Sequence, residues 1–203
     1  MKQPSEKSRR RASGAAATAA RQPPELLLDK LGERLAFERN GVQFYDALIA
    51  KFETSQDSST SMTLADLQKI RQDEARHADM LAAAIAGIGG DPEARTPSAA
   101  LVGVEAQGLK QVLADPASTI AQSLHALLVA EMTDNAGWEL LIALAEDQEQ
   151  MALISDFSVA LDEERAHLMQ VQNWYEEATI GKAVSDGALI DDVSDMNPSS
   201  SLH

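Results

Sequence analysis

The strings Glu74-Ala-Arg-His77 and Glu164-Arg-Ala-His167 each place a glutamate three residues before a histidine in helix-forming sequence. Residues three apart lie on the same face of an α-helix, so each string directs a carboxylate and an imidazole the same way. Glu38 and Glu131 precede the two strings by 36 and 33 residues. Four carboxylates and two imidazoles on four helices form the ligand set of a dinuclear iron or manganese site in a four-helix bundle.

Apolar residues at helical spacing predict four long helices, and therefore an all-α fold. Thr63, followed by Asp66, predicts the N-cap of the second helix, and Gly89-Gly90-Asp91-Pro92 predicts its end. The predicted helices span residues 25–53, 63–88, 118–146 and 149–179, and the last ends at Ile180-Gly181.

The connections between these helices predict the topology. Residues 54–62 and 147–149 are short loops, which favour two antiparallel hairpins. Residues 97–115 contain apolar positions at helical spacing and predict one short helix within a long crossover. A connection of that length lets the second and third long helices run in the same direction. We therefore expect two helical hairpins joined by a crossover.

The two halves of the chain resemble each other. Residues 44–53 (FYDALIAKFE) align with residues 137–146 (GWELLIALAE) at an offset of 93. Glu38 and Glu131 are separated by the same 93 residues, and the two Glu-x-x-His strings are separated by 90. This repeat predicts a pseudo-two-fold axis that brings two half-sites together at the centre of the bundle.

The candidate ligands lie in apolar stripes that should face the core, as Leu127 and Trp138 do around Glu131. Four buried carboxylates repel one another and raise one another's pKa, and two divalent cations would balance their charge. Mixed carboxylate and imidazole ligation suits iron or manganese, and zinc can occupy such a site. For any one glutamate taken alone, a solvated helix face is the alternative; for either histidine alone, it is an ordinary core position.

Three other residues have competing interpretations. Asp134 follows Glu131 by three and shares its inward face, so it is a candidate extra ligand or hydrogen-bond acceptor near the ligands; a helix-surface position is favoured. Tyr45 and Trp138 occupy matching positions in the repeat, where they can hydrogen-bond to the ligands, relay electrons or simply fill the core. His125 lies off the face of Glu131, and we expect no metal ligation by it.

The composition excludes several classes of protein. Without cysteine, the chain itself has no disulfide, thiolate nucleophile, iron–sulfur cluster or rubredoxin-type iron centre. No apolar run is long enough to span a membrane, and the N-terminal region lacks a convincing export signal, so we expect a cytoplasmic protein.

Charge is distributed unevenly along the chain. Residues 1–24 contain six basic residues and one acidic residue, a net charge of +5. Since the whole chain has a net charge of −15, the remaining residues carry −20. An acidic body argues against nucleic-acid binding by the folded domain. We expect residues 1–24 to be a disordered basic arm, for which solvation is favoured over DNA contact, and residues 181–203 to be a flexible acidic tail.

Over residues 26–179 the chain resembles the ferritin-like di-iron carboxylate superfamily, and within it the rubrerythrin and bacterioferritin branch. The resemblance rests on the six candidate ligands, on Glu38-Arg-Asn-Gly-Val-Gln-Phe-Tyr45, which is similar to the first helix of rubrerythrins, and on Glu131-Met-Thr-Asp134, which is similar to their third. It implies a ferritin-like four-helix bundle over residues 25–180 with two iron ions. Glu74 and Glu164 would bridge the ions, with Glu38 and His77, and Glu131 and His167, as terminal ligands.

The same resemblance implies oxidase, peroxidase or ferroxidase activity, with Fe(II) and O2 or H2O2 as reactants. A manganese catalase-like reaction is a variant on the same site. Since the chain has no rubredoxin domain, an electron donor must be a separate protein. The alternatives are an iron-storage or DNA-protecting mini-ferritin-like protein, and a bundle that metal stabilises without turnover. No fifth helix of the kind that closes ferritin cages is predicted after Ile180, which argues against a cage. We expect a homo-oligomer, with a dimer favoured.

Overall fold

The computed structural model describes residues 25–55 and 59–194, with side chains described up to residue 181. Within these residues the chain forms five α-helices and no strand, which confirms the all-α prediction. The helices are α1 (Glu25–Thr54), α2 (Leu64–Gly87), α3 (Pro97–Ala114), α4 (Ile120–Asp147) and α5 (Met151–Ser194). The predicted arm, residues 1–24, lies outside the described residues, as does the end of the predicted tail, residues 195–203.

Local sequence explains where the helices begin and end. Thr63 caps α2 as predicted, since its side chain accepts from the Asp66 backbone N–H while the Asp66 carboxylate accepts from the Thr63 backbone. Thr119 and Gln122 form the same reciprocal cap at the start of α4. Gly89, with φ of +86°, follows the end of α2 in a conformation that glycine adopts without strain.

Cross-helix contacts fix the directions of the four long helices. Asp46 pairs with Arg71, and Glu38 lies near His77, so α1 and α2 run antiparallel. His77 contacts Glu163 while Asp73 contacts His167, so α5 is antiparallel to α2. Glu131 lies near His167 while Trp138 packs against Phe157, so α4 is antiparallel to α5. It follows that α2 and α4 run in the same direction, as the long crossover between them requires.

The crossover helix α3 is longer than the short helix predicted there, with 18 residues. It packs against α1 and α4, and polar contacts fasten it to α1 at both ends. At one end, the Asp29 carboxylate accepts from the backbone and hydroxyl of Ser98. At the other, Lys51 Nζ donates to the Asp115 carbonyl at 3.0 Å. Thus α3 lies along α1 and runs parallel to it.

The last helix does not end at Ile180-Gly181, where the sequence predicts its end, but continues to Ser194. A glycine within a helix costs only about 1 kcal/mol relative to alanine, which is too little to stop a helix by itself. The start of this helix is also shifted, because Glu149 has a φ of 56° and cannot belong to it. The helix begins at Met151.

The core consists of two apolar clusters, one toward each end of the bundle. Along α1, Leu27, Leu31 and Leu35 belong to one cluster, and Phe44 and Leu48 to the other. Between them lies a layer of buried polar side chains that includes Glu38. The clusters close this layer off from solvent above and below. No helix in the described part of the chain has the length and apolarity needed to cross a membrane.

Candidate metal centre

The structure brings together all six ligand candidates predicted from the sequence. They come from the four long helices, and none is more than 3% exposed. The six are Glu38 on α1, Glu74 and His77 on α2, Glu131 on α4, and Glu164 and His167 on α5. Buried carboxylates are rare in proteins without a compensating partner, so their convergence on one layer needs a chemical explanation.

Their donor atoms form two overlapping groups, each compact enough to hold one metal ion. In the first, one atom from each of Glu38, His77 and Glu164 lies within 4.8 Å of the others. The second group consists of Glu74, Glu131, Glu164 and His167 at the same spacing. Glu164 belongs to both groups and is placed to bridge them. Glu74 also joins Glu38 and Glu164 in a further such group, so it has donors near both halves.

Each imidazole directs Nδ1 toward the shared carboxylate. His77 Nδ1 lies 2.6 Å from Glu164 Oε1, and His167 Nδ1 lies 3.1 Å from Glu164 Oε2. The opposite nitrogens contact carboxylates outside the layer: His77 Nε2 is 2.8 Å from Glu163, and His167 Nε2 is 3.2 Å from Asp73. From these contacts we assign the Nε2 proton to the outer hydrogen bond, which leaves Nδ1 as the metal donor.

Asp73 and Glu163 were missed by sequence reasoning, although a signal was present. Each directly precedes the glutamate of a Glu-x-x-His string, and the two are 90 residues apart like the strings themselves. Each supports the histidine of the opposite hairpin, not its own. Arg76 contacts both, at 2.7 Å from Asp73 and 3.0 Å from Glu163. These carboxylates orient the imidazoles and are in turn held by a cation.

Tyr45 and Trp138 also cross between the hairpins. The Tyr45 hydroxyl donates to Glu131 Oε1, and the Trp138 indole N–H donates to Glu38 Oε1 at 3.0 Å. Each is the residue seven positions after one candidate glutamate, and it bonds to the other glutamate. Both are about 1% exposed or less, so they fill the core and also hold the ligands in place.

Asp134 is buried at 2% exposure, so the helix-surface interpretation of this residue is wrong. One of its oxygens lies within 4.8 Å of donors from Glu38, Glu74 and Glu164. Its Oδ1 is 2.9 Å from the guanidinium of Arg34, which is itself only 5% exposed. Arg34 was not identified from the sequence, because long charged side chains are rarely buried.

Burial and mutual repulsion perturb the titration of these groups. Burial raises the pKa of Glu131 to about 8, and burial with repulsion from Glu164 and Glu38 holds the pKa of Glu74 well above its usual range. For His77, burial lowers the pKa, but the nearby Glu164 and Glu38 carboxylates outweigh it and raise the pKa to about 10. Burial also opposes ionisation of Glu164, yet its contacts with both histidines lower its pKa. The layer therefore holds excess protons that metal ions would displace.

The residues fit a metal pair by two independent observations. Two carboxylate oxygens of the ligand candidates, Glu38 Oε2 and Glu131 Oε2, are buried and make no hydrogen bond. Gly41 on α1 leaves a space that the Glu74 carboxylate fills, and a Cβ at this position would overlap Glu74 Oε2. Buried oxygens without a hydrogen bond are what a bound cation satisfies.

His125, for which the sequence predicts no metal ligation, lies away from the polar layer. The His125 ring packs against Tyr175, with centroids 5.5 Å apart, and the residue belongs to none of the donor groups found in the described residues.

Comparison of the chain with protein-family models, with curated proteins and with solved structures finds no match.

Proposed function

We propose that this protein is a dinuclear metal carboxylate protein of the ferritin-like type, with iron as its metal and with oxidase, peroxidase or ferroxidase activity toward O2 or H2O2. The observation that carries the proposal is the pair of overlapping donor groups that share Glu164. Each group combines carboxylates with one imidazole, a donor set that suits iron or manganese.

In this proposal two ions would be held by the six ligand candidates: Glu38 and His77 would serve one ion, Glu131 and His167 the other, and Glu74 and Glu164 would be shared. When bound, the iron pair supplies the electrons with which O2 or H2O2 is reduced, and a separate protein restores them. The chain's own residues hold the ligands: Asp73 and Glu163 fix the imidazoles, and Tyr45 and Trp138 fix two carboxylates. The two apolar clusters exclude bulk water from the layer.

Metal analysis of the purified protein, followed by anaerobic Fe(II) titration and addition of O2 or H2O2, tests this function. We expect two ions per chain and a rapid absorbance change on adding oxidant. Glu164→Gln should lose both, because it removes the charge of the shared ligand. Glu176→Gln, the same change at an exposed position on the same helix, should behave as wild type.

Two outcomes would contradict parts of the proposal. Absence of stoichiometric metal binding would contradict the site itself. Two bound ions that raise the melting temperature, without oxidation by O2 or H2O2, would instead support a purely stabilising role. Size-exclusion chromatography tests the storage alternative, because a cage of many subunits would favour it and a dimer would exclude it.

A further inference from the structure

The polar layer holds one more carboxylate than the predicted ligand set requires. Besides Glu38, Glu74, Glu131 and Glu164 it contains Asp134, 2% exposed and close to three of the four. With neutral imidazoles, five ionised carboxylates carry one negative charge more than two divalent ions can balance. A buried excess charge is costly, so the structure should contain a compensating cation.

Arg34 is that cation. Its guanidinium lies 2.9 Å from Asp134 Oδ1 and 3.5 Å from Glu38 Oε1, and it donates to the Asp134 carbonyl at 3.0 Å. The guanidinium carbon lies 4.2 Å from the centre of the Phe37 ring, which supports it from one side. On the opposite helix, Gly137 provides the space, since a Cβ there would overlap Arg34 Nη1.

The internal repeat of the sequence has no second copy of the Arg34–Asp134 pair. At the offset of 93, Arg34 corresponds to Leu127 and Asp134 to Gly41, both on the other side of the pseudo-two-fold axis. Leu127 is fully buried in the core, and Gly41 provides the space for Glu74. Arg34 and Asp134 thus place a buried cation and an extra carboxylate where the repeat has the apolar Leu127 and the glycine Gly41.

The outer contacts are balanced separately and do not supply this charge. Asp73 and Glu163, which support the two histidines, pair with Lys69 and Arg76. Two carboxylates therefore face two cations in the outer layer. Arg34 is the only Lys or Arg side chain among the residues classed as buried in the described chain, so the inner balance depends on it.

Resting on the proposed function, we propose that Arg34 is a positioning residue that serves as the fixed counter-charge of Asp134, so that the centre as a whole is electrically matched to two divalent cations. It acts through Asp134 and Glu38 and does not itself bind metal. Removing one member of the pair changes the net charge of the layer by one unit, and removing both restores it.

Anaerobic titration of the metal-free protein with Fe²⁺, monitored by calorimetry, tests this pairing in four variants. Arg34→Gln leaves a surplus negative charge and should tighten Fe²⁺ binding, whereas Asp134→Asn leaves a surplus positive charge and should weaken it. A charge this close to a divalent ion should change the dissociation constant by roughly tenfold or more. The double variant should return to within a few-fold of wild type. Arg39→Gln, on the exposed side of α1 and paired with Glu93, is the control and should have no effect.

A merely structural role for Arg34 gives a different pattern, in which both single variants bind Fe²⁺ more weakly and the double variant more weakly still. That pattern, or unchanged binding in both single variants, would overturn the proposal. If Arg34→Gln does not fold, Asp134→Asn is compared with the double variant. Tighter binding by the double variant supports the pairing, and equal or weaker binding overturns it. Failure of wild type to bind two ions would contradict the proposed function instead.

Discussion

At the scale of single residues, the polar layer depends on where side chains are missing as much as on where they are present. Gly41 and Gly137 lie on adjacent helices, and each leaves space for a charged group from another helix. Glu74 fills the first space and Arg34 the second. Both glycines lie inside helices, where glycine costs about 0.5–1 kcal/mol relative to alanine, so close packing explains their presence.

Gly41→Ala should therefore damage the site, although alanine is the better helix former. The added Cβ forces the Glu74 carboxylate out of its position, which we expect to weaken metal binding by about tenfold or more and to lower stability by about 1–3 kcal/mol. Calorimetric titration and urea unfolding measure the two effects. Gly108→Ala on α3, where a Cβ meets open space, is the matched control and should leave metal binding unchanged.

The outer carboxylates provide a second test. Asp73→Asn and Glu163→Gln keep the shape of each side chain but remove the charge that orients an imidazole, so each should weaken metal binding by about 10–100-fold. Metal titration monitored by absorbance or calorimetry measures this loss. Asp79→Asn, at an exposed position on α2, should not change the affinity. Equal affinities for all three variants would show that the imidazoles need no such support.

Spacing alone predicted the six ligand candidates that the structure brings together, but not the residues that support them. Asp73 and Glu163 are one position from a ligand and so about 100° away around the helix, which spacing rules assign to another face. They contact the imidazoles only because the opposite hairpin lies beside them. Arg34 is buried because Gly137 on another helix leaves room for it. Such cross-helix pairings exist only in the folded structure.

At the scale of elements, the predicted starts of the four long helices lie within two residues of the observed ones, and the predicted ends lie within one residue except that of α5. The Thr63 cap involves side chains within one turn, so four residues of sequence determine it. The length of α3 and the continuation of α5 past Gly181 depend on packing and on the balance of small propensities. A glycine that ends one helix can be tolerated in another, as Gly89 and Gly181 show.

Removing the cap at the start of α2 should destabilise the first hairpin measurably. Thr63→Ala loses the hydrogen bond to the Asp66 backbone, and we expect a loss of about 1 kcal/mol in the free energy of unfolding. Urea unfolding of the metal-free protein measures it. Thr133→Ala, an exposed substitution in the middle of α4, should be neutral or slightly stabilising, because alanine favours helix.

At the scale of the whole molecule, the buried layer should make the metal-free protein sensitive to pH. Folding raises the pKa of Glu74, Glu131 and Asp134, mainly by burial, and raises the pKa of both histidines through hydrogen bonds that outweigh burial. The folded state therefore binds more protons than the unfolded state above about pH 4.5. Stability must then fall as pH rises, by roughly 1.4 kcal/mol per pH unit for each extra proton.

We expect the chelator-treated protein to unfold at lower urea concentration at pH 8 than at pH 5.5. Saturation with a divalent metal should remove or reverse this trend, because the ions replace the displaced protons. Glu164, with a lowered pKa, acts in the opposite direction but only in acid, as the pH falls through its usual range. Metal-free stability that increases from pH 5.5 to pH 8 would contradict the charge distribution described here.

The crossed supports between the hairpins also have a consequence for biosynthesis. A ribosome delivers Glu38, Glu74 and His77 well before Glu164, and at usual elongation rates the 87 residues from His77 to Glu164 take roughly 5–15 seconds. During that interval the nascent hairpin lacks Glu163, which orients His77, and the carboxylate common to both donor groups. A metal pair could therefore be bound by the complete donor set only after the two hairpins have docked, and a chain that ends before Glu164 has neither of the two donor groups.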